Sequence, residues 1–218
     1  MEKERYKYRI CYSKDGAMRF IGHLDLLRLF QRAIKRSGLP VAYSAGFNPH
    51  QLISFAMPLP IGHSGAAEYA DIEFEYPPED IISPLAAQLP GGLEVIGARP
   101  LCPGERAAAA LTAAAVYEIE FPAPIGFDIN EIMSAGSIII EKKTKSGTAM
   151  TDIRPDILSL SADGRRLLTM LSAGSARNLK PELLVKYIGG TEPFTVKYKR
   201  IEIFKETSGG GHEPLMNI

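Results

Sequence analysis

The sequence predicts an α+β protein made of two tandem ferredoxin-like domains, each with the element order β-α-β-β-α-β. Two observations lead to this prediction. Strand-like alternation and helix-like periodicity follow one another in that order twice, and an alanine-rich stretch separates the two runs. The chain has 218 residues, of which 45% are hydrophobic and 23% are charged, so it can bury one large core or two small ones.

The first run begins with residues 6–13, YKYRICYS, which alternate in the manner of a half-buried strand. After a turn at residues 14–16, a helix is predicted over residues 22–37, because apolar side chains fill one broad face and the sequence GLP follows. The remaining elements of this half are strands over 51–57, 68–76 and 92–101 and a helix over 77–89. Pro84 predicts an early break or a kink in that second helix.

The second run begins with a strand over residues 116–123. The pattern then predicts, in order, a helix over 127–136, strands over 137–145 and 165–174, a helix over 180–189 and a long final strand over 194–206. An additional segment lies around residues 149–163. It is not part of the β-α-β-β-α-β order.

These elements divide the chain into four parts. Residues 1–101 form an N-terminal ferredoxin-like domain, and residues 102–115 form a linker with a short alanine-rich helix. Residues 116–206 form a C-terminal ferredoxin-like domain. The glycine-rich tail, residues 207–218, is predicted to be disordered.

The net charge is zero, but it is unevenly distributed along the chain. Residues 1–60 carry ten Lys or Arg against four Asp or Glu, and residues 136–218 carry thirteen against nine. Residues 61–135 carry two against twelve. A chain polarised in this way can bind a polyanion through one face. Ordinary solvated surfaces that differ by chance are the alternative.

Several classes of protein are excluded or disfavoured. No run of 18 apolar residues suggests a membrane span, and the charged start MEKERYKYR does not resemble a signal peptide, so a cytoplasmic protein is expected. Cys11 and Cys102 suggest neither a disulfide framework nor a metal site. The sequence contains no phosphate-binding glycine motif and no cysteine run for an iron–sulfur cluster, so no cofactor is predicted.

The helix over 22–37 has a basic face opposite its apolar one. The basic residues of this face are Arg28, Arg32, Lys35 and Arg36, and Arg19 precedes the helix. Aromatic residues such as Tyr43 and Phe47, together with Asn48, lie nearby in the sequence. Basic side chains interleaved with aromatic ones suit single-stranded RNA. The same surface is joined by Lys7 and Arg9 and would be extended in the second half by Lys142, Lys143, Lys145, Arg154, Lys197, Lys199 and Arg200. A solvated charged face is the alternative.

Two polar clusters are candidates for chemistry. His23 and Asp25 lie in the first turn of the helix, where Asp25 favours the helix dipole and reaches Arg28 at i+3. In the segment SAGFNPHQLISF, residues 44–55, turn chemistry explains the glycine, the asparagine and the proline. Phe47 is expected to anchor the loop in the core. Turn chemistry explains His50 less well. The functional interpretation makes His23 and His50 an acid–base pair, with Asp25 orienting one of them.

His23, His50 and His63, with Glu68, are residue types that can ligate a metal. The spacing of these residues matches no metal-binding motif such as HExxH. No metal is therefore predicted.

The stretch RFIGHLDLLRLFQRAIKRSGLPVAYSAGFNPHQLISFAMPLPIGHSGAAEYADIEF resembles the radical SAM-linked protein family, a domain of unknown function. The resemblance covers residues 18–74 closely and most of the chain more loosely. Two positions depart from the family pattern. Gln51-Leu52 replaces a Pro-Lys pair, and His63 stands where an apolar residue is common.

The resemblance implies a protein that occurs beside a radical SAM protein or fused to its C-terminal end. It also implies genes that lie near those for ribonuclease G and ribosomal proteins, which points to RNA or ribosome modification. The leading hypothesis is an RNA-binding or substrate-presenting accessory partner of a radical SAM enzyme, without catalysis of its own.

Two other hypotheses stay open. One is an RNA-processing or RNA-modifying enzyme that uses His23 and His50. The other is a protein–protein adaptor without RNA contact, whose acidic docking residues would be Glu68, Asp71, Glu73, Glu75, Glu79 and Asp80.

Overall fold

The computed structural model of the chain describes residues 4–144, 147–189 and 193–216. In this structure the chain forms a mixed α+β fold with one large mixed sheet, a separate two-stranded hairpin and few helices. The α+β class predicted from the sequence is confirmed at this level. Most of the helices are short, and α1 is the longest of those described.

The strands of the described residues are β1 Tyr6–Lys14, β2 Ile53–Phe55, β3 Ser64–Phe74, β4 Leu93–Pro100, β5 Thr112–Glu120, β6 Ile139–Thr144, β7 Gly147–Asp152, β8 Ile157–Asp163, β9 Arg166–Ser172, β10 Lys197–Glu206 and β11 His212–Pro214. The helices are α1 His23–Ser37, α2 Ile82–Ala86, α3 Ala108–Leu111, α4 Ile129–Ser134 and α5 Pro181–Ile188. Short 3-10 turns occupy Gly16–Phe20, Arg154–Asp156 and Pro193–Thr195.

The large sheet runs across both halves of the chain in the order β4-β1-β3-β10-β5-β9-β8. The strands of the first half pair antiparallel, and the short β2 adds to β3 at its Ala70–Ile72 end. The strands of the second half also pair antiparallel. The two halves meet where β3 and β10 run parallel, with Ser64 and Gly65 opposite Lys199 and Arg200. The large sheet continues across both halves, so it does not test whether residues 102–115 link two separate domains. That division into domains stays a prediction.

Each half buries its own apolar cluster against the sheet, and a third cluster fills the junction. The cluster of the first half packs α1 and α2 on β1 and β3. The cluster of the second half packs α4 and α5 on β5 and β9. Separate clusters explain why hydrophobic periodicity appears as two runs along the sequence.

Helix α1 matches its prediction to within one residue. Its fully buried side chains are Leu26, Phe30, Ala33 and Ile34. These positions recur at i, i+4, i+7 and i+8, so they form one stripe against the core. The helix ends at Gly38, which takes the left-handed conformation with φ 73° and releases the chain towards the next strand.

The strand predicted over 137–145 does not join the large sheet. Its described part, β6, instead pairs with β7 in a separate hairpin, and Lys145 lies outside the described residues. The side chains of β7 are mostly exposed, so the hairpin offers little apolar surface to the core. The Asp152 carboxylate ends the hairpin by accepting from the backbone N–H groups of Ile138 and Arg154 at 2.8 and 3.0 Å. The additional segment supplies β8, which takes the edge position beside β9.

Two further elements differ from the predictions. The helix predicted over 77–89 is only the five-residue α2, which begins after Asp80 accepts from the backbone N–H of Ile82 at 2.8 Å. The tail predicted to be disordered instead forms β11 and buries Leu215, whose N–H donates to the Ile203 carbonyl at 3.1 Å. The last two residues of the tail, 217–218, lie outside the described residues.

Candidate functional site

The basic face of α1 forms one wall of an open groove. The exposed side chains of Arg28, Arg32 and Arg36 line this groove, which has a volume of about 590 Å³ and is bounded on its other side by residues 87–90. Arg36 links the two walls, because it donates to the side chain of Gln88 at 3.1 Å and to its carbonyl at 2.8 Å. Because its side chains are exposed, the basic face is accessible. We call the groove that these arginines line the arginine groove.

Asp25 lies in the arginine groove, whereas Lys35 lies outside it. Asp25 lines it and accepts from Arg28 Nη1 at 3.2 Å, which is the i,i+3 contact expected from the sequence. Lys35 is exposed on α1 but is not among the lining residues. The charged side chains of the groove are therefore three arginines and one aspartate, which give it a positive potential.

The loop over residues 44–50 projects into solvent. Ser44 closes its base, because Ser44 Oγ lies 2.8 Å from His50 Nδ1 and accepts from the His50 backbone N–H at 3.1 Å. Asn48 is exposed within the loop. Phe47 is fully exposed, so the expectation that it anchors the loop in the core is wrong. The hydrogen bonds at the base of the loop replace that anchor.

The structure gives His23 and His50 different surroundings. His50 lines a cavity of about 180 Å³ together with Lys7, Asp71 and others. His23 is not among the residues that line this cavity, and its ring lies edge-to-face on Phe55 with centroids 5.5 Å apart. An acid–base pair must reach one substrate from a shared cleft. Because His23 and His50 do not line the same cavity, the structure adds no support to a catalytic role for His23, Asp25 and His50. That role stays a prediction.

His63 lies apart from the other two histidines, in a cleft between the halves that we call the junction cleft. Its ring is buried and stacks on Tyr198, with centroids 4.6 Å apart and an interplanar angle of 11°. His63 Nε2 lies 3.1 Å from Glu182 Oε1 at the start of α5. In the described residues, no group of three or more His, Cys, Asp or Glu side chains is placed to hold a metal ion.

The junction cleft has a volume of about 580 Å³ and was not predicted from the sequence. Its lining residues are Arg19, Phe20, Ile61, Gly62, His63, Glu182, Phe194, Thr195, Val196, Lys197 and Tyr198. They come from the turn before α1, the loop before β3, the start of α5 and the start of β10. Arg19, predicted to share the basic surface of α1, therefore lies at a different cavity from Arg28 and Arg32.

Burial and hydrogen bonding have opposite effects on Glu182. Burial acts to raise the pKa of its carboxyl group, but the hydrogen bond from His63 and one from a backbone N–H hold that pKa below its usual value. Glu182 is therefore charged at neutral pH. The residues that line the junction cleft therefore include a charged acceptor.

Two arginines that were assigned to the RNA-binding surface are internal. Arg9 is completely buried and binds Asp71 with two hydrogen bonds, of 2.8 and 3.1 Å. Arg200 is also completely buried and binds Glu68 in the same bidentate manner. The expectation that Arg9 and Arg200 extend a surface is wrong, because each neutralises a carboxylate inside the sheet.

The same pairs remove two residues from the acidic docking surface of the adaptor hypothesis. Glu68 and Asp71 are buried against the two arginines. Glu73, a third member, lies 3.3 Å from Arg5 and 3.1 Å from Lys7. Much of the acidic charge in this segment is therefore compensated within the chain.

Comparison with known proteins shows the family of the chain. The family model described as an uncharacterized protein conserved in bacteria (DUF2344) matches residues 7–181, which is about four fifths of the chain. No curated protein matches the chain. Among the helices that the structure describes, none is both long and apolar enough to cross a membrane.

Proposed function

The chain belongs to the DUF2344 family of uncharacterized proteins conserved in bacteria, and from this premise we propose that it is an RNA-binding protein without catalysis of its own. The arginine groove is the surface that binds the RNA backbone. In this proposal the protein acts as an accessory partner of a radical SAM enzyme and presents RNA or a ribosomal substrate to it.

The observation that supports RNA binding is the spacing of the arginines in the groove. Arg28, Arg32 and Arg36 follow one another at i+4, so successive side chains are about 6 Å apart along the axis of α1. A row of cations at a regular spacing suits a linear polyanion better than it suits one small anion. Arginine is also suited to phosphate, because its planar guanidinium group forms two parallel hydrogen bonds.

The strand order of each half supports the finer part of the fold assignment, which is two tandem ferredoxin-like units. In the first half β4 lies beside β1, β1 beside β3, and β3 beside β2. In the second half β10 lies beside β5, β5 beside β9, and β9 beside β8. Both orders agree with the split arrangement of β-α-β-β-α-β units, if β8 takes the place that was predicted for β6. Units of this kind serve many functions, so the fold alone does not assign RNA binding.

The partnership with a radical SAM enzyme rests on the family resemblance described above. The sequence holds no cysteine run for an iron–sulfur cluster, so the partner would carry the cluster. The role left to this chain is to bind and position the substrate. The exposed loop with Phe47 and Asn48 lies in the most specific part of the resemblance and is the proposed contact for RNA or the partner.

RNA binding is tested with fluorescence anisotropy of labelled single-stranded RNA over a range of salt concentrations. The variant is Arg28→Glu/Arg32→Glu, and the matched control is Arg165→Glu/Arg166→Glu at the exposed turn between β8 and β9. Both variants change the net charge equally. We expect the groove variant alone to lose affinity and to reduce the slope of log K against log salt by about 2, one for each phosphate contact. Equal losses in the two variants would show a nonspecific effect of charge and would contradict the proposal.

A further inference from the structure

Three buried polar atoms of the junction cleft have no hydrogen-bond partner in the described part of the chain. They are Arg19 Nε, His63 Nδ1 and Glu182 Oε2. Buried polar atoms in folded proteins nearly always have a partner, from the protein, from water or from a ligand. The three atoms belong to residues that line one cavity, and the His63 side chain is about 95% buried, which indicates that the cleft is built for a polar group.

The chemistry of the three atoms restricts that group. Glu182 Oε2 can only accept, and Arg19 Nε can only donate. His63 Nε2 lies 3.1 Å from the carboxylate and so donates to it, which leaves Nδ1 free to bond a ligand. The matching group must therefore present at least one hydrogen-bond donor, for Glu182, and one acceptor, for Arg19, within a short distance. The edge of a nucleobase does so.

The walls of the junction cleft are aromatic and apolar. Phe20, Ile61 and Phe194 line the cleft, and all three side chains are mostly exposed to solvent. Exposed phenylalanines at a cavity that has a polar floor suit a planar ring, which stacks on them while its edge bonds below. A volume of about 580 Å³ is in the range of small-ligand sites and is sufficient for one nucleotide.

The junction cleft adjoins the arginine groove. Arg19 and Phe20 line the cleft, and the next residue, Ile21, lines the groove. The Arg19 carbonyl accepts from the Gly62 N–H at 2.8 Å, which holds this segment against the loop before β3. The segment of residues 19–21 therefore borders both cavities, and this is the observation that connects them.

We infer that the junction cleft receives one unstacked base of the RNA whose backbone lies in the arginine groove. This inference rests on the proposed RNA binding and adds to it a site that reads the base. The backbone contacts of the groove are independent of sequence, whereas contacts to a base edge distinguish one base from another. The two sites should therefore respond differently to a change of RNA sequence.

The test measures the affinities of labelled decamers of adenosine, cytidine and uridine for the full chain. The cleft variants are Phe194→Ala and Glu182→Gln. Their matched controls are Tyr76→Ala, which removes an exposed ring that does not line the cleft, and Glu131→Gln, which removes a carboxylate from the first turn of α4 as Glu182 is in the first turn of α5.

We expect Phe194→Ala to weaken binding roughly 10-fold or more, which is the usual effect of losing an aromatic platform for one base. We expect Glu182→Gln to reduce the ratio between the best and the worst decamer. The two controls should match the wild type. The Arg28→Glu/Arg32→Glu variant should lower all three affinities by a similar factor and preserve their ratios.

The other outcomes are distinct. If the wild type binds the decamers but both cleft variants keep its affinities and ratios, the inference is overturned and RNA binding stands. If the wild type binds no decamer, the proposed function fails and the inference fails with it. If nucleoside monophosphates bind as tightly as the decamers and depend on Phe194, the source of the base is a free nucleotide, and the RNA-bound base is overturned.

Discussion

Arg200 on β10 and Glu68 on β3 form a fully buried ion pair where the two halves of the sheet meet. Arg200 Nε lies 2.8 Å from Glu68 Oε1, and Nη2 binds the second carboxylate oxygen. Nη2 also donates to the Met57 carbonyl at 2.8 Å. The parallel contact between β3 and β10 is short. A charged pair beside it therefore adds a specific buried contact to the apolar cluster that fills the junction.

Glu68→Gln is expected to lower the free energy of unfolding by about 3–5 kcal/mol, because it leaves the buried guanidinium group without its countercharge. The measurement is urea denaturation followed by circular dichroism. The control is Glu120→Gln, whose carboxylate lies 3.3 Å from the exposed Lys197 and should contribute less than about 1 kcal/mol.

The double variant Glu68→Leu/Arg200→Met separates two explanations of that loss. If the cost comes from an unpaired buried charge, removing both partners should recover much of it. A double variant as unstable as Glu68→Gln would contradict this explanation. Packing of the two side chains would then account for the loss.

Helix α1 shows what the sequence could predict. The apolar stripe, the basic face and the stop at Gly38 are all encoded within one stretch of residues 22–38. Because an α-helix closes its hydrogen bonds within itself, local periodicity suffices to place it. The arginine groove follows from the same periodicity, and for this reason its members were found.

The buried arginines show what the sequence could not predict. Lys and Arg in a strand are ordinarily solvent-exposed, so Arg9 and Arg200 were assigned to a surface. What makes their burial tolerable is Asp71, 62 residues from Arg9, and Glu68, 132 residues from Arg200. No local pattern signals such partners. The pairing of strands that brings them together is itself long-range.

The junction cleft was missed for the same reason. Arg19, His63, Glu182 and Phe194 lie far apart in the sequence and share no motif. His63 was considered only as a weak metal ligand, because nothing near it in the sequence suggested Glu182 as its partner. An isolated polar residue next to a glycine in an apolar stretch, as in PIGHSG, is the one local signal that could have directed attention to it.

Gly65→Ala is expected to destabilise the protein by disturbing the same ion pair. A Cβ atom at Gly65 would lie 2.6 Å from Glu68 Cγ, which real side chains do not tolerate, so the carboxylate must shift away from Arg200. We expect a loss of about 2 kcal/mol or more in urea denaturation. The control is Gly91→Ala, where an added Cβ meets nothing within 4 Å. A Gly65→Ala variant that unfolds together with this control would show that the pair adapts to the added atom.

Acid should weaken the contact that Glu105 makes with Arg99. Hydrogen bonds from Arg99, at 2.5 and 3.0 Å, are the main cause that lowers the pKa of the Glu105 carboxyl to about 2. Because the folded-state pKa lies below the usual value of 4.5, the stabilisation is complete above that value and is lost as the pH falls towards 2. Both side chains are partly exposed, so the contribution is limited to about 1–2 kcal/mol.

The test compares the wild type with Glu105→Gln in urea at pH 6 and at pH 2.5. The variant should be less stable at pH 6, and most of the difference should be lost at pH 2.5, which lies well below the usual pKa of 4.5 and just above the folded-state pKa. Glu79→Gln, at an exposed position, serves as the control. A difference for Glu105→Gln that is the same at both pH values would show that charge does not cause it.

The two cysteines should react with thiol reagents at very different rates. Cys11 is completely buried, and burial, assisted by the nearby Glu202 carboxylate, raises the pKa of its thiol to about 12. Cys102 is exposed. Because the thiolate is the reactive form, Ellman's reagent at pH 8 should label one thiol per native chain quickly and the second only as the protein unfolds. Cys102→Ser should abolish the fast phase and leave the slow one, whose rate should rise with urea. Two fast thiols in the wild type would show that the apolar cluster that buries Cys11 opens readily. That result would contradict the packing of Cys11 against Tyr69.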